Sequence, residues 1–186
     1  MRIPIIVAAL LGSLSSATAA QEAAGPRAGG WAAEVNFSGF VGTPSGSLLR
    51  FRSDRSAWVV GLTASVGQRD TENTGSDEDE TTTSVGIRAG VRSLRSPGSA
   101  TRPTLGFGIL GQHSVAGQDS RNWAAGAYTE FGVTRFFGSS FSLGAFADLE
   151  LRYSETRIGG GLGPDPRLTE LRLTLDAVRV AATVYF

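Results

Sequence analysis

Hydrophobic and polar residues alternate with a period of two along most of this chain, in segments separated by turn-forming residues. The C-terminal stretch, residues 169–186, shows the pattern well, because leucine alternates with charged or hydroxyl residues from Leu171 to Leu175. Such alternation is typical of a β-strand with one apolar face. The phase shifts by one residue near Asp176, and the apolar face then continues from Val178 to the terminus. A β-bulge, in which two residues oppose one, would keep that face continuous, so we predict a bulged final strand.

Seven earlier segments show the same two-faced pattern. They cover residues 31–41, 48–52, 57–67, 84–92, 104–113, 122–137 and 141–154. In the second of them, Leu49 and Phe51 are predicted to share the outward apolar face, with Arg50 and Arg52 on the other. With the C-terminal strand, these segments predict an all-β fold, an eight-stranded antiparallel up-and-down barrel.

The first twenty residues have the composition of a secretory signal peptide. Arg2 precedes an apolar run over residues 3–14 that is too short to span a bilayer as a helix, and small residues follow it. We predict cleavage after Ala19 or Ala20, a flexible leader over residues 21–30 and one barrel domain over residues 31–186. The chain has no cysteine, so neither disulfides nor thiol chemistry contribute.

Eight two-faced strands could form a membrane barrel or a soluble ligand-binding calyx, and three features favour the transmembrane barrel. Glycines lie mostly on the polar faces, where they leave room in a narrow lumen for long charged side chains. The connections alternate between short turns and longer polar loops. Aromatic residues fall near the strand ends, as in the two girdles of a membrane barrel. The predicted girdles comprise Trp31, Phe51, Trp58, Phe137, Phe141 and Phe186 at the end with short turns, and Phe40, Trp123 and Tyr153 at the other.

The chain ends in Val184, Tyr185 and Phe186, and this ending resembles the terminal strand of bacterial outer-membrane barrels. In those proteins it is the signal that the barrel assembly machinery reads. The whole predicted plan resembles the small outer-membrane barrels of the OmpA and OmpX type, and we expect no peptidoglycan-binding domain after the last strand. The resemblance implies a Gram-negative outer-membrane protein of the cell envelope. Members of that group anchor, adhere, bind at the cell surface or stabilise the envelope, and a few are small pores or lipid-modifying enzymes.

Charged residues on the polar faces are then predicted to form a lumenal salt-bridge network. Its members are Glu34, Arg50, Arg52, Arg88, Arg92, Glu130, Asp148, Glu150, Arg152, Glu170, Arg172, Asp176 and Arg179. We predict that the last two strands pair with Arg152 opposite Glu170 and Glu150 opposite Arg172, because unlike charges stabilise an antiparallel pair. The lumen of an eight-stranded barrel is filled by side chains, so we expect a salt-bridged plug and not an open channel.

The sequence offers little for catalysis, and we predict no catalytic, metal-binding or cofactor-binding residue. The one histidine, His113, is adjacent to Ser114, so the two side chains point to opposite faces of a strand. In barrels that deacylate lipid A, by contrast, the two residues share a face with an acidic partner, for which Glu130 is the candidate. The acidic loop over residues 70–80 could hold a divalent cation, but a solvated loop is the simpler interpretation.

We therefore predict an outer-membrane barrel with a structural or cell-surface interaction role. The expected partners are outer-membrane lipid and lipopolysaccharide, the assembly machinery, and an extracellular ligand at the outer loops Asp70 to Thr81, Ser114 to Arg121 and Glu155 to Arg167. Seventeen arginines balance seventeen acidic residues, and no nucleic-acid partner is expected. Three alternatives stay open: a narrow gated pore, a lipid A-modifying hydrolase and a soluble periplasmic calyx.

Overall fold

Antiparallel β-strands make up most of the part of the chain that the computed structural model describes, residues 25–38, 45–69, 80–116, 120–158, 167–175 and 178–186. The strands are β1 (Trp31–Ser38), β2 (Ser45–Ser53), β3 (Ser56–Arg69), β4 (Glu80–Leu94), β5 (Thr101–Ala116), β6 (Ser120–Phe136), β7 (Phe141–Ile158), β8 (Arg167–Leu175) and β9 (Arg179–Tyr185). Both β8 and β9 pair with β7, at different heights, so together they occupy the eighth position in the wall. The predicted all-β fold is confirmed.

Hydrogen-bonded pairing closes these strands into a ring. Each of β1 to β7 pairs with its neighbour in sequence, always antiparallel. β9 then pairs with β7 on one side and with β1 on the other, and this second pairing is the seam of the barrel. The seam runs from Ala32 opposite Tyr185 to Ser38 opposite Arg179. The structure is therefore the predicted eight-stranded up-and-down barrel.

The two ends of the barrel differ. At one end, which we call the turn end, short connections follow β2, β4 and β6, and Gly138 adopts a φ of 80° that favours glycine. The leader residues 25–30 also contact this end, where the Gly29 amide donates a 2.8 Å hydrogen bond to the Phe51 carbonyl. At the opposite end, which we call the loop end, β4 to β7, with 15–18 residues each, extend beyond β1 and β2, with 8 and 9. Within the part of the chain that the structure describes, the wall is thus taller at β4 to β7 than at β1 and β2.

The last strand position has the predicted one-residue shift but not the predicted register. On β7, two residues, 147 and 148, lie between the segment that pairs with β9 and the segment that pairs with β8. On the partner side, three residues, 176–178, lie between β8 and β9. The one extra residue agrees with the predicted bulge. However, Arg152 lies opposite Arg172, and Glu170 lies opposite Ser154, so the predicted charge-matched register is wrong. The predicted register would require three extra residues between β8 and β9, but the pairing of β9 with β7 leaves room for only one.

The phase of β2 is also opposite to the prediction. Leu49 and Phe51 are buried inside the barrel, and Arg50 and Arg52 are exposed on its outer surface. Directly paired residues share a face of the sheet, and Arg50 lies opposite the outward Trp31 of β1. The neighbouring strand therefore determines the phase of β2.

Several predicted features lie outside the described residues. They are the signal peptide over residues 1–20, leader residues 21–24, Phe40, Asp176, and loop residues 70–79, 117–119 and 159–166. Within the described part, no helix has the length and apolar character needed to cross a membrane.

Candidate functional site

The centre of the lumen is occupied by ion pairs around Arg92. Its guanidinium donates to both oxygens of Glu34, at 2.5 and 3.0 Å, and to both oxygens of Glu130, at 2.6 and 3.1 Å. Thr183, across the seam on β9, donates a further 3.1 Å hydrogen bond to Glu34. All three charged side chains are buried, with 2% of Glu34, 5% of Arg92 and 3% of Glu130 exposed. One arginine on β4 thus joins carboxylates from β1 and β6.

A second arginine, Arg179 of β9, extends these contacts across the lumen. It donates to Glu130 and to the side-chain oxygen of Asn36, and its Nε lies 3.5 Å from a carboxylate oxygen of Asp148. That same Asp148 oxygen accepts two 3.1 Å hydrogen bonds from Arg88 of β4. The interactions therefore connect strands on opposite sides of the barrel.

These ion pairs form a neutral unit, which we call the central cluster. It contains three carboxylates and three guanidiniums, those of Glu34, Glu130, Asp148, Arg88, Arg92 and Arg179. Charges taken out of water are tolerated when they are paired and hydrogen-bonded, and removing one partner leaves another charge uncompensated. The cluster therefore occupies the centre of the lumen, and we expect it to be sensitive to the loss of any one member.

Aromatic rings support the guanidiniums from inside the wall. Arg92 and Arg179 lie 4.8 and 5.0 Å from the ring centroid of Phe146, and Arg88 lies 4.0 Å from that of Tyr128. Lumenal glycines make room for these rings and for the arginine stems. At five of them a Cβ would approach within 3.0 Å of the side chain of Arg88, Tyr128 or Phe146, as found for Gly61, Gly90, Gly108, Gly132 and Gly144. This is the physical basis of the glycine-rich polar faces.

An apolar layer fills the lumen between the central cluster and the turn end. It contains Ala32, Leu49, Phe51, Ala57, Val59, Leu94 and Phe136, with Tyr185 packed against it. The Tyr185 ring lies 5.7 Å from those of both Phe51 and Phe136, and its hydroxyl is 2.8 Å from that of Ser142. Below this layer the buried Arg102 donates to the backbone oxygens of Ser99 and Asp54, which ties two turns together. Side chains thus fill the lumen at a second level.

A polar cavity of about 330 Å³ lies on the loop-end side of the central cluster. Arg88, Asp148 and Arg179 line its floor, and Glu150, Arg152 and Gln112 line its wall. Arg152 donates 2.8 Å to Glu150 on the same strand and 2.9 Å to Gln112 on β5. Arg152 is therefore paired without Glu170, and because Arg172 opposite it is exposed, water screens their repulsion.

The structure gathers eight of the thirteen predicted network residues in the lumen. These are Glu34, Arg88, Arg92, Glu130, Asp148, Glu150, Arg152 and Arg179. The prediction is wrong for Arg50 and Arg52, which point outward, while Glu170 and Arg172 are exposed on β8 and contribute no lumenal ion pair among the described residues. Four further residues also point into the lumen without having been predicted as network members, although all follow the inward phase of their strands: Asn36, Arg102, Phe146 and Thr183.

The girdle residues lie on the outer surface, with one exception. Trp31, Trp58, Phe137 and Phe186 are exposed at the turn end, where Phe137 and Phe141 are 5.9 Å apart between ring centroids. Trp123 and Tyr153 contact each other at 5.6 Å toward the loop end. Phe51 is only 3% exposed and belongs to the inner apolar layer, so its placement in the girdle is wrong.

The predicted assembly signal has two faces. Val184 and Phe186 are 53% and 73% exposed on the outer surface, whereas Tyr185 points inward. The Phe186 amide and carbonyl both bond Trp31, at 2.9 and 3.0 Å. The signal is therefore part of the seam.

The structure separates the residues considered for hydrolysis. His113 is exposed and lies opposite Trp123, while Glu130 is buried opposite Gly106 and bound by two arginines. Seven residues of β5 separate the two positions, or roughly 23 Å at 3.3 Å per residue. Among the described residues, no group of histidine and acidic side chains is placed to hold a metal ion.

Comparison with known proteins agrees with this architecture. The family described as "Outer membrane protein beta-barrel domain" matches residues 6–178. The chain is similar to the outer membrane protein OprG from Pseudomonas aeruginosa, with a TM-score of 0.60 and 11% identity, over 87% of this chain and 98% of that one. It is also similar to the N-terminal β-barrel domain of Pseudomonas aeruginosa OprF, with a TM-score of 0.52 and 15% identity, over 86% and 98%. At these identities the likeness shows the fold alone, and no curated protein matches.

Proposed function

Because the chain belongs to the outer membrane protein β-barrel domain family, we propose that it is a closed outer-membrane barrel with a structural or cell-surface interaction role. The observation that carries this proposal is the lumen filled at two levels, first by the central cluster and then by the apolar layer. A permeant solute would have to separate six paired charges, five of them buried, and then displace Phe51 and Tyr185. The barrel is thus better suited to holding its loops at a surface than to transport.

In this proposal the turn end faces the periplasm and the loop end faces outward. Short periplasmic turns and long outer loops are the usual arrangement in bacterial outer-membrane barrels. The outer loops would contact an extracellular ligand, and the outward leucines and aromatics would contact membrane lipid and lipopolysaccharide. The barrel assembly machinery would recognise Val184, Tyr185 and Phe186 before the seam closes.

Single-channel recording in planar lipid bilayers tests the closed lumen. We expect the wild-type protein to give no current steps above the bare bilayer, because the central cluster and the apolar layer both fill the lumen. The sample is shown to be folded by its electrophoretic mobility in SDS, which should change on boiling because a closed ring of paired strands resists the detergent until it is heated.

A narrow gated pore is the second candidate, and the 330 Å³ cavity favours it because the loop-end half of the lumen is partly empty. We expect E150Q/R152Q, which neutralises the cavity wall, to stay silent, since the central cluster remains. The matched control E155Q/R157Q neutralises a pair on the outward face of the same strand. If the wild-type protein gives current steps, and these increase in E150Q/R152Q but not in the control, the protein is a gated pore and the proposal of a closed barrel is wrong.

A further inference from the structure

Two arginines stand on the outer face of β2, where the wall is otherwise mostly apolar. Arg50 and Arg52 are both exposed near the turn end, and no carboxylate or hydrogen-bond acceptor is bound to either guanidinium among the residues described. An arginine on the lipid-facing surface is costly at the middle of the bilayer and tolerated near its interfaces. These two residues therefore mark the level of the lipid headgroups.

Tryptophans hold the two guanidiniums in place. That of Arg50 lies 5.3 Å from the ring centroid of Trp31, and that of Arg52 lies 5.4 Å from that of Trp58. Arg50 is also directly opposite Trp31 on β1 and Trp58 on β3, so it stands between two aromatic side chains. Stacking on a ring leaves the N–H donors of a guanidinium free for an anion. The result is a pair of oriented, unneutralised cations within an aromatic girdle.

The same surface is apolar toward the middle of the wall. Leu48 lies between Ala33 and Val60, and Gly46 follows it, with open space where a side chain would be. The outer face of β2 therefore has a shallow apolar strip that leads directly to the two arginines. An apolar strip that leads to two cations has the same order of chemical groups as a phospholipid, in which an acyl chain leads to a phosphate.

We propose that this surface, which we call the β2 lipid site, binds the phosphate headgroup of an anionic phospholipid in the periplasmic leaflet. The phosphate contacts Arg50 and Arg52, and an acyl chain lies along Leu48 and Gly46. Charge complementarity identifies the occupant, because two guanidiniums stand at headgroup level and neither forms an ion pair with a carboxylate among the described residues. The site depends on the membrane placement of the barrel and not on whether its lumen is closed.

Tryptophan quenching in vesicles tests the proposal. The chain has three tryptophans, and a W123F background leaves only Trp31 and Trp58, both at the site. The protein is reconstituted in phosphatidylcholine with a minor fraction of phosphatidylglycerol, and brominated acyl chains are placed on either lipid at the same fraction. We expect brominated phosphatidylglycerol to quench more strongly, with a relative affinity over phosphatidylcholine of roughly 10- to 30-fold from two arginines.

Two double variants separate a site from a general attraction. R50Q/R52Q should bring the relative affinity close to one, whereas R55Q/R95Q, which removes two exposed charges from turns at the same end, should leave it near the wild-type value. Both should keep the mobility shift on boiling, which shows that the barrel is folded. Unchanged preference in R50Q/R52Q, or equal loss in both variants, would overturn the proposal. Displacement by millimolar inorganic phosphate would also overturn it, since the surface would then recognise free phosphate and not lipid.

Discussion

Arg92 neutralises two carboxylates at once, and this makes the central cluster dependent on single side chains. Its guanidinium contacts Glu34 and Glu130 through both oxygens of each. Without it, Arg179 would be the nearest remaining cation for both. Because Glu34 and Glu130 are buried, an unpaired carboxylate there could not be compensated by bulk water.

At this scale we predict that R92M destabilises the barrel by roughly 3–5 kcal/mol, the usual cost of breaking a buried ion pair by removing one partner. The free energy of unfolding is measured by urea titration in lipid vesicles. R157M removes an arginine whose pair with Glu155 is exposed, and it should cost no more than about 1 kcal/mol. Equal losses in the two variants would show that burial of the cluster does not matter.

At the scale of the strands, the lumenal glycines of β6 and β7 determine where an aromatic ring can lie. A side chain at Gly132 or Gly144 would overlap the ring of Phe146, and that ring lies against Arg92 and Arg179. The glycines of these two neighbouring strands therefore support the central cluster by leaving space for the Phe146 ring.

We predict that G144A displaces the Phe146 ring and destabilises the barrel by about 1–3 kcal/mol, the usual cost of overpacking. The same urea titration measures the loss. G67A, where a Cβ would meet no atom, should change the free energy of unfolding by less than about 1 kcal/mol. A neutral G144A would mean that the ring can move without cost.

The accuracy of the sequence analysis also differed from strand to strand. Long segments such as β6 and β7 alternate over many residues, so their inward Glu130, Asp148 and Glu150 were predicted correctly. In β2, the adjacent Leu48 and Leu49 place a leucine on each face of the strand, so the sequence does not show which face points outward. The lumen near the turn end is apolar as well. The rule that charge points inward therefore failed there. The register of β8 depends on how β9 pairs with β7 when the barrel closes, and opposite charges on β7 and β8 alone do not predict that pairing.

At the scale of the whole molecule, the ring is joined over very different lengths. Within the described ranges, β6 and β7 pair from Ser120 to Phe136, whereas the seam between β1 and β9 covers Ala32 to Ser38. Among the described residues β8 pairs with β7 alone.

We predict that a disulfide across the seam, in A33C/V184C, raises the temperature at which the SDS mobility shift occurs. The two residues are directly paired, and paired Cα atoms about 5.5 Å apart suit a disulfide. The chain has no native cysteine to interfere. The reduced form should behave as wild type, and T129C/L149C, a pair within the long β6–β7 ladder, should give little increase. A similar increase in both oxidised variants would show that the barrel does not open first at the seam.

The short seam has a consequence for how long the folded protein survives once it leaves the membrane. A ring under thermal stress separates where few backbone hydrogen bonds and no turn hold it, and the seam, with seven paired positions among the described residues, joins the first strand to the last, which no turn connects. The unfolding rate in detergent is then a property of about one short strand pair, while the taller wall opposite adds equilibrium stability but no kinetic barrier. The protein's lifetime and its free energy of unfolding should therefore respond to mutations in different places.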